Sequence, residues 1–136
     1  NKKYDLIVTD VASDDGIDDR FLSDDYFKLI KKSLTPNGVF VSNLCSSADL
    51  TCKENTFFHS ILDTYHSHFK QVSIFKGNES VRVYYKAFFD IDERVIDITN
   101  VILISSKQQF SVGKDYEKIK AVGLDILPYV NDLQSF

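Results

Sequence analysis

Two short apolar runs near the start of the chain each end in a polar side chain. Residues 4–9 lead into Asp10, and residues 39–42 lead into Asn43. A helix between two such strands makes a right-handed βαβ unit, which brings both polar ends to the same edge of a parallel sheet. Open α/β sheets bind ligands at that edge. Both side chains are therefore candidates for ligand contact, with a loop-capping role for Asp10 and a turn role for Asn43 as the alternatives.

An acidic run, residues 14–19, follows the first predicted strand. It lacks the alternating aspartates and the distal glutamate of a Ca²⁺-binding loop, which favours a solvated loop over a metal site. Its negative charge could attract a cationic protein or a polyamine, over the roughly 8 Å at which physiological salt screens charges.

The three histidines and two cysteines are not spaced for a metal site or a catalytic pair. His59 and His66 are seven residues apart, which is about 10 Å along a helix. His66 and His68 would point to different helix faces, so we expect surface histidines and no bound metal. Cys45 and Cys52 are isolated thiols, as is usual in a reducing compartment, and we predict a cytoplasmic protein.

Charge and hydropathy disfavour two classes of partner. The chain has 136 residues, of which 16 are basic and 20 acidic, and the net charge of −4 is unfavourable for binding a phosphate backbone. No apolar run approaches the roughly 20 residues that span a bilayer. We therefore predict no nucleic-acid or membrane partner, and a single domain of ordinary globular composition.

Capping and turn signals define the first βαβ unit. Ser23 is a good N-cap, and Asp24 and Asp25 would favour the helix dipole in the first turn. Residues 35–38, Thr-Pro-Asn-Gly, predict a type I turn that ends the helix before the strand at 39–43.

Further elements follow along the chain. Thr51 and Glu54 have the spacing of a capping box, which predicts a helix from about Cys52 to His66. Strands are predicted at 72–75, 81–89 and 101–104, and a short strand at 95–98. The strand at 81–89 rests on the alternation of its apolar residues. A last helix is predicted after Asp115.

The strand and turn sequences resemble the C-terminal half of a class I S-adenosyl ligand-binding domain, in particular spermidine synthases and the methyltransferases that share their fold. The Asn43-Leu44-Cys45 continuation resembles the methyltransferases that act on translation elongation factor 1-alpha. The segments that carry the resemblance are Tyr4-Asp5-Leu6-Ile7-Val8-Thr9-Asp10, the helix from Phe27 to Leu34, and Leu34-Thr35-Pro36-Asn37-Gly38-Val39-Phe40-Val41.

The resemblance implies a partial Rossmann-like α/β fold, with parallel strands, an antiparallel terminal strand and helices on both faces. It implies a transferase that uses S-adenosylmethionine and an amine acceptor. Asp10 matches the carboxylate beside the attacking amine in spermidine synthases, where it can hold a cation and help to remove a proton. Asn43 and Asp14 are the further substrate-binding candidates.

The segment after Asp10 bears on the kind of transfer. Polyamine synthases continue with Ser/Thr-Asp-Pro, whereas this chain has Val11-Ala12-Ser13. We therefore favour a methyltransferase acting on a protein lysine or N-terminus over an aminopropyltransferase. A non-catalytic remnant that binds proteins, and an unrelated flavodoxin-like or receiver domain, are the remaining alternatives. The antiparallel strand predicted at 101–106 argues against the last of these.

The glycines are too far apart for a G-x-G loop. We therefore predict that residues 1–136 are the C-terminal half of the domain, with the cofactor-binding half absent and an insertion at 78–100. Such a fragment would bind S-adenosylmethionine weakly and be inactive alone. The strand at 5–9 would then have an unpaired apolar edge, which predicts a homodimer through that edge.

Overall fold

The computed structural model describes residues 2–11, 17–53, 55–77, 80–86, 93–108 and 124–126. A 3₁₀ turn at Asp19–Leu22 precedes the first helix. The two helices are α1 (Asp24–Ser33) and α2 (Thr56–His68), and the strands are β1 (Tyr4–Asp10), β2 (Leu34–Ser47), β3 (Gln71–Gly77), β4 (Val81–Lys86), β5 (Glu93–Ser106) and β6 (Leu124–Ile126).

One mixed sheet contains all of these strands, in the order β1-β2-β5-β3-β6, with β4 paired to β5. β1 runs parallel to β2, whereas β5 is antiparallel to both β2 and β3. The predicted parallel pair and the predicted antiparallel terminal strand are therefore confirmed. The separate strands expected at 95–98 and 101–104 are one continuous strand, because β2 and β4 together pair along its length.

Local sequence signals account for α1. The Ser23 hydroxyl accepts a hydrogen bond from the Tyr26 backbone N–H at 3.3 Å, and two aspartates occupy the first turn. Phe27 and Ile30 are buried on the inner side of the helix. The N-cap predicted for this helix is confirmed.

The Thr-Pro-Asn-Gly segment does not interrupt β2 as the predicted turn would. Tyr4 pairs with Leu34 and Leu6 with Val39, so five steps along β2 oppose two steps along β1. The three extra residues form an irregularity within the strand, comparable to a β-bulge. A Cβ atom on Gly38 would lie 2.8 Å from the Tyr4 carbonyl oxygen and 3.0 Å from Leu34 Cδ2, which explains the glycine.

The predicted start of α2 is wrong. The helix begins at Thr56, after Asn55, rather than at about Cys52. Thr51 is not its cap, since it lies four residues before Asn55, the residue at the N-cap position. Its hydroxyl and its backbone N–H donate to the Asp49 carboxylate, at 2.8 and 3.0 Å, in a local turn that precedes the helix.

An aromatic cluster fixes both helices to one face of the sheet. Phe27 of α1 and Tyr65 of α2 contact each other with ring centroids 4.9 Å apart, and each also contacts Phe40 of β2. The Tyr65 hydroxyl donates to the buried Ser42 Oγ at 2.7 Å, and burial raises the pKa of Tyr65 to about 12, so it remains a donor. Both described helices therefore cover the same face.

Several predictions fall partly or wholly outside the described residues. The antiparallel strand expected at 81–89 is confirmed as β4 over residues 81–86, while residues 87–89 and the helix after Asp115 lie outside. Helices on the second face stay a prediction for that reason. The insertion expected at 78–100 contributes β4 and the first half of β5, which pair with each other.

No helix in the described ranges combines the length and the apolar character needed to cross a lipid bilayer.

Replacing Gly38 with alanine should destabilise the fold, because the new methyl group would press on the β1 backbone. We expect a loss of about 1–3 kcal/mol in the free energy of unfolding, measured by urea denaturation. Asn37→Ala is the control, since Asn37 is exposed in the same segment and should change stability by less than about 0.5 kcal/mol. Equal effects of the two substitutions would contradict the close approach.

The Tyr65→Phe substitution should cost about 1–3 kcal/mol, because it leaves the Ser42 hydroxyl buried without its donor. The double variant Tyr65→Phe with Ser42→Ala should lose less than the sum of the two single variants. Thermal and urea unfolding of all four proteins measure the coupling. Strict additivity would show that the bond does not contribute.

Candidate functional site at the carboxyl edge of the sheet

The parallel register of β1 and β2 places Asp10 directly beside Asn43. The Asn43 Nδ2 group donates a hydrogen bond to Asp10 Oδ1 at 3.0 Å. The two candidates are thus brought together, as predicted. Only Asp10 ends its strand, because β2 continues for four residues beyond Asn43, so the predicted strand end and the alternative turn role of Asn43 are wrong. Whether they bind a substrate is a separate question, which their surroundings address.

The second carboxylate oxygen of Asp10 has no hydrogen-bond partner among the described residues. Within the described parts of the chain, the Asn43 amide is the hydrogen-bond partner of this carboxylate, and it engages Oδ1 alone. Asp10 is exposed, so Oδ2 can accept a hydrogen bond from an incoming donor. An ionised carboxylate only accepts, and a cationic donor makes the stronger bond to it.

Alternation along β1 turns Asp10 away from the helices. Thr9 faces α1, where its hydroxyl lies 2.8 Å from the Tyr26 hydroxyl in a hydrogen bond. Asp10, one residue further, points to the opposite face of the sheet. The caps of the following elements are provided by Asp18 for the 3₁₀ turn and Ser23 for α1. Asp10 therefore caps neither the 3₁₀ turn nor α1. Residues 12–16, the loop directly after Asp10, lie outside the described residues, so the loop-capping alternative stays open.

A second polar pair continues the line of Asp10 and Asn43 across the sheet. Cys45, two residues after Asn43, pairs with Asn100 of β5, and its thiol lies 3.7 Å from Asn100 Oδ1. Both residues are exposed. Sequence reasoning missed Asn100 because its position depends on the register of a strand more than fifty residues away. Its position beside Cys45 can be predicted only when the antiparallel β2–β5 pairing is known.

Aliphatic side chains lie on the same face, beside the Asp10–Asn43 pair. Val8 pairs with Val41, which pairs with Ile104 on its other side. Val8 is 61% exposed, and Val41 and Ile104 are half-buried. The face therefore combines a carboxylate and an amide with an adjoining apolar row. This combination suits a ligand that has a polar cationic end and an aliphatic stem.

The acidic run is only partly described. Asp14 lies outside the described residues, so its role as a substrate contact stays a prediction. Asp18 is paired with Arg20 at 2.6 Å, and the hydrogen bonds from Arg20 lower the pKa of Asp18 to about 2. The charge of Asp18 is thus largely offset by its neighbour, which reduces the field that the run can project.

The histidines do not form a shared site. His59 Nε2 lies 3.2 Å from the Cys52 carbonyl oxygen, while His68 Nε2 lies 3.2 Å from Asp24 Oδ1. His68 is not the surface residue we expected, since its side chain is 12% exposed and stacks on Phe27 at 4.8 Å. Burial lowers the pKa of His66. In the described ranges, no group of three His, Cys, Asp or Glu side chains could hold a metal ion.

Comparison with known proteins finds similarity in sequence and similarity in structure, whereas no family model matches the chain. Spermine synthase from the yeast Saccharomyces cerevisiae is 33% identical over 64 residues, which is 47% of this chain and 20% of the yeast protein. The chain therefore matches only a small part of that relative's length.

Two solved structures resemble the chain over nearly its full length. A probable spermidine synthase from Corynebacterium glutamicum has a TM-score of 0.61 and 18% identity, covering 90% of this chain and 40% of its own. Human methyltransferase-like protein 13, in complex with SAH, has a TM-score of 0.53 and 22% identity, covering 89% of this chain and 47% of its own. The chain spans less than half of either structure, and at these identities the likeness concerns the fold.

The exposed position of Asp10 predicts that it contributes little to stability. Asp10→Ala should change the free energy of unfolding by less than about 0.5 kcal/mol. Ser23→Ala, which removes a real helix cap, is the comparison and should cost about 0.5–2 kcal/mol. Urea denaturation measures both. A loss for Asp10→Ala as large as that for Ser23→Ala would support the capping role instead.

Proposed function

We propose that this chain, which has a spermidine synthase-like, class I methyltransferase-like fold, supplies the amine-acceptor side of a transferase site. The family resemblance inferred from the sequence is confirmed at the level of the fold. The observation that carries the proposal is the Asn43–Asp10 hydrogen bond, on the face that carries Val8 and Val41. It engages one carboxylate oxygen, and the other has no partner in the part of the chain that the structure describes.

This arrangement could bind the amine acceptor, remove its proton and orient its nitrogen, which are the three steps that precede the transfer. The Asp10 carboxylate attracts the cationic form of a primary amine and holds it by a charge-assisted hydrogen bond. The same carboxylate then accepts the proton that blocks the nitrogen lone pair. Asn43 limits rotation of the carboxylate, so that the nitrogen is held in one direction, which reduces the entropic part of the barrier.

The apolar row narrows the class of acceptor. Val8, Val41 and Ile104 provide a surface for a methylene chain next to the carboxylate. A lysine side chain of a protein and a polyamine both combine such a chain with a terminal ammonium group. The N-terminal amine of a protein, the other acceptor we considered, lacks the stem and would use only the Asp10–Asn43 pair.

The donor is proposed from the family and not from a pocket in this chain. An S-adenosyl sulfonium compound would supply the electrophilic carbon, and methyltransferase-like protein 13 is in complex with SAH. The described residues do not by themselves fit such a group. Gly38 lies beside Tyr4, at the end of β1 opposite to Asp10, and so cannot form a nucleoside loop at this edge.

Two types of transferred group remain, each favoured by a different observation. Val11 follows Asp10 where polyamine synthases have Ser or Thr, which favours methyl transfer. The sequence match to a spermine synthase favours aminopropyl transfer. We take methyl transfer as the first candidate and aminopropyl transfer as the second. A cytoplasmic location stays part of the proposal, as does the expectation that residues 1–136 alone are inactive.

Transfer assays on the full-length protein test the proposal. The protein is incubated with S-adenosylmethionine or with its decarboxylated, aminopropyl-donating form, and with a lysine-containing peptide or a polyamine. Asp10→Asn should lower kcat/KM for the active pair by about 10²–10⁴-fold, because it removes both the charge and the proton acceptor. Asp63→Asn is the control, since Asp63 is an exposed carboxylate on α2, and should leave the rate unchanged.

The outcome also separates the alternatives. Activity with one donor only assigns the transferred group. Full activity of Asp10→Asn would contradict the role of the carboxylate, and no transfer of either group to any amine would support the non-catalytic remnant.

A further inference from the structure

A second polar pair, Cys45 and Asn100, lies on the face of the sheet that carries Asp10. The Cys45 thiol donates to Asn100 Oδ1, at a sulfur–oxygen distance of 3.7 Å. This bond fixes which way the amide is turned, so that its Nδ2 group points away from the thiol. Among the described residues Nδ2 has no hydrogen-bond partner, and Asn100 is exposed. Its two N–H donors are therefore presented to a ligand on this face.

The register of the sheet determines the distance between Asp10 and Asn100. Asp10 lies beside Asn43, Asn43 lies opposite Ile102, and Asn100 is two residues before Ile102 on β5. Two strand spacings of about 4.8 Å and two residues at about 3.4 Å each place the Cβ atoms roughly 12 Å apart. A hydrogen bond of about 2.9 Å at each end leaves roughly 6 Å for a ligand between them. The four-carbon stem of a lysine side chain has the length to connect the two ends.

An aliphatic side chain lies between the two polar ends. Ile102 is half-buried, and Ile104 of the apolar row lies two residues further along β5, on the same face. The apolar surface is therefore continuous from Val41 through these two isoleucines to the Cys45–Asn100 pair. A methylene stem whose ammonium group is held by the carboxylate can pack on Ile102 and end at Asn100.

The Asn100 amide distinguishes between the two kinds of acceptor that have such a stem. Its N–H groups bind a carbonyl oxygen, such as that of the peptide bond beside a lysine, because a carbonyl oxygen accepts. The second ammonium group of a polyamine only donates, so it would meet these N–H groups without an acceptor and would need a carboxylate instead. The Cys45 thiol also engages Asn100 Oδ1, the amide atom that could otherwise accept from an ammonium group.

We propose that Asn100, oriented by Cys45, is a specificity-determining residue of the acceptor site. It donates a hydrogen bond to the carbonyl oxygen of a lysine residue whose ammonium group is bound by Asp10. The site thus selects an amine that is part of a peptide over a free polyamine with the same stem. This inference rests on the proposed role of Asp10, and it goes further by choosing between the two acceptors that the apolar row admits.

Titration of the full-length protein, followed by amide chemical shifts, tests the inference with two matched ligands. Nα-acetyl-lysine N-methylamide has the stem, the ammonium group and the carbonyl oxygen, whereas n-butylamine has only the stem and the ammonium group. Asn100→Ala should weaken binding of the lysine compound by about 3–10-fold, as expected for one neutral hydrogen bond, and leave binding of n-butylamine unchanged. Asn37→Ala is the control, because Asn37 is exposed near the start of β2, and it should change neither.

Two further substitutions test how the amide acts. Asn100→Asp replaces the donor by a carboxylate, so it should strengthen binding of 1,4-diaminobutane and weaken binding of the lysine compound. Cys45→Ala lets the amide rotate and should weaken the lysine compound by less than Asn100→Ala does. Cys45→Ser retains a donor to Oδ1 and should restore the affinity.

Asp10→Asn separates the failure of this inference from the failure of the proposed function. It should weaken both ligands, since both bind through their ammonium groups. If the wild-type protein binds neither ligand, or if Asp10→Asn changes neither affinity, the amine-acceptor role itself is wrong and the inference is wrong with it. If Asp10→Asn weakens both ligands while Asn100→Ala weakens neither, or weakens both alike, only the role of Asn100 is overturned.

Discussion

The parallel pairing of β1 with β2 is the constraint on which the candidate site depends. Hydrogen bonds between the two backbones fix which residues lie side by side, and the register from Leu6↔Val39 to Asp10↔Asn43 is regular. Because side chains alternate between faces, this register also decides that Asp10 and Asn43 point away from the helices. The three extra residues of β2 lie near Gly38, before this regular run begins. They therefore do not change the register at Asp10 and Asn43.

The aromatic cluster explains why both described helices cover the same face of the sheet. Phe27, Phe40 and Tyr65 hold α1 and α2 against one side of the sheet, and the buried Tyr65 and Ser42 hydroxyls form a hydrogen bond with each other. Asp10 and the exposed side chains of β1 lie on the opposite side. The amine-acceptor proposal draws on this asymmetry, because it uses the carboxyl end of β1.

The features that short-range signals determine could be predicted from the sequence. Ser23 capped α1 as expected because the cap lies within three residues of its donor, and the βαβ unit followed from two apolar runs and one amphipathic helix. The start of α2 was predicted wrongly, because Thr51 belongs to a local turn with Asp49, two residues before it, and the helix begins only after Asn55. The position of Asn100 and the half-buried position of His68 depend on contacts between distant segments, which neither periodicity nor spacing specifies.

The most direct test of this account is the register between β1 and β2 in solution. Nuclear Overhauser contacts in an isotopically labelled sample should show parallel strands, with Ile7 beside Phe40 and Asp10 beside Asn43. A shift by a single residue would turn Asp10 toward the helices and separate it from the Asn43 amide. Contacts of that kind, or an antiparallel pattern, would contradict the account.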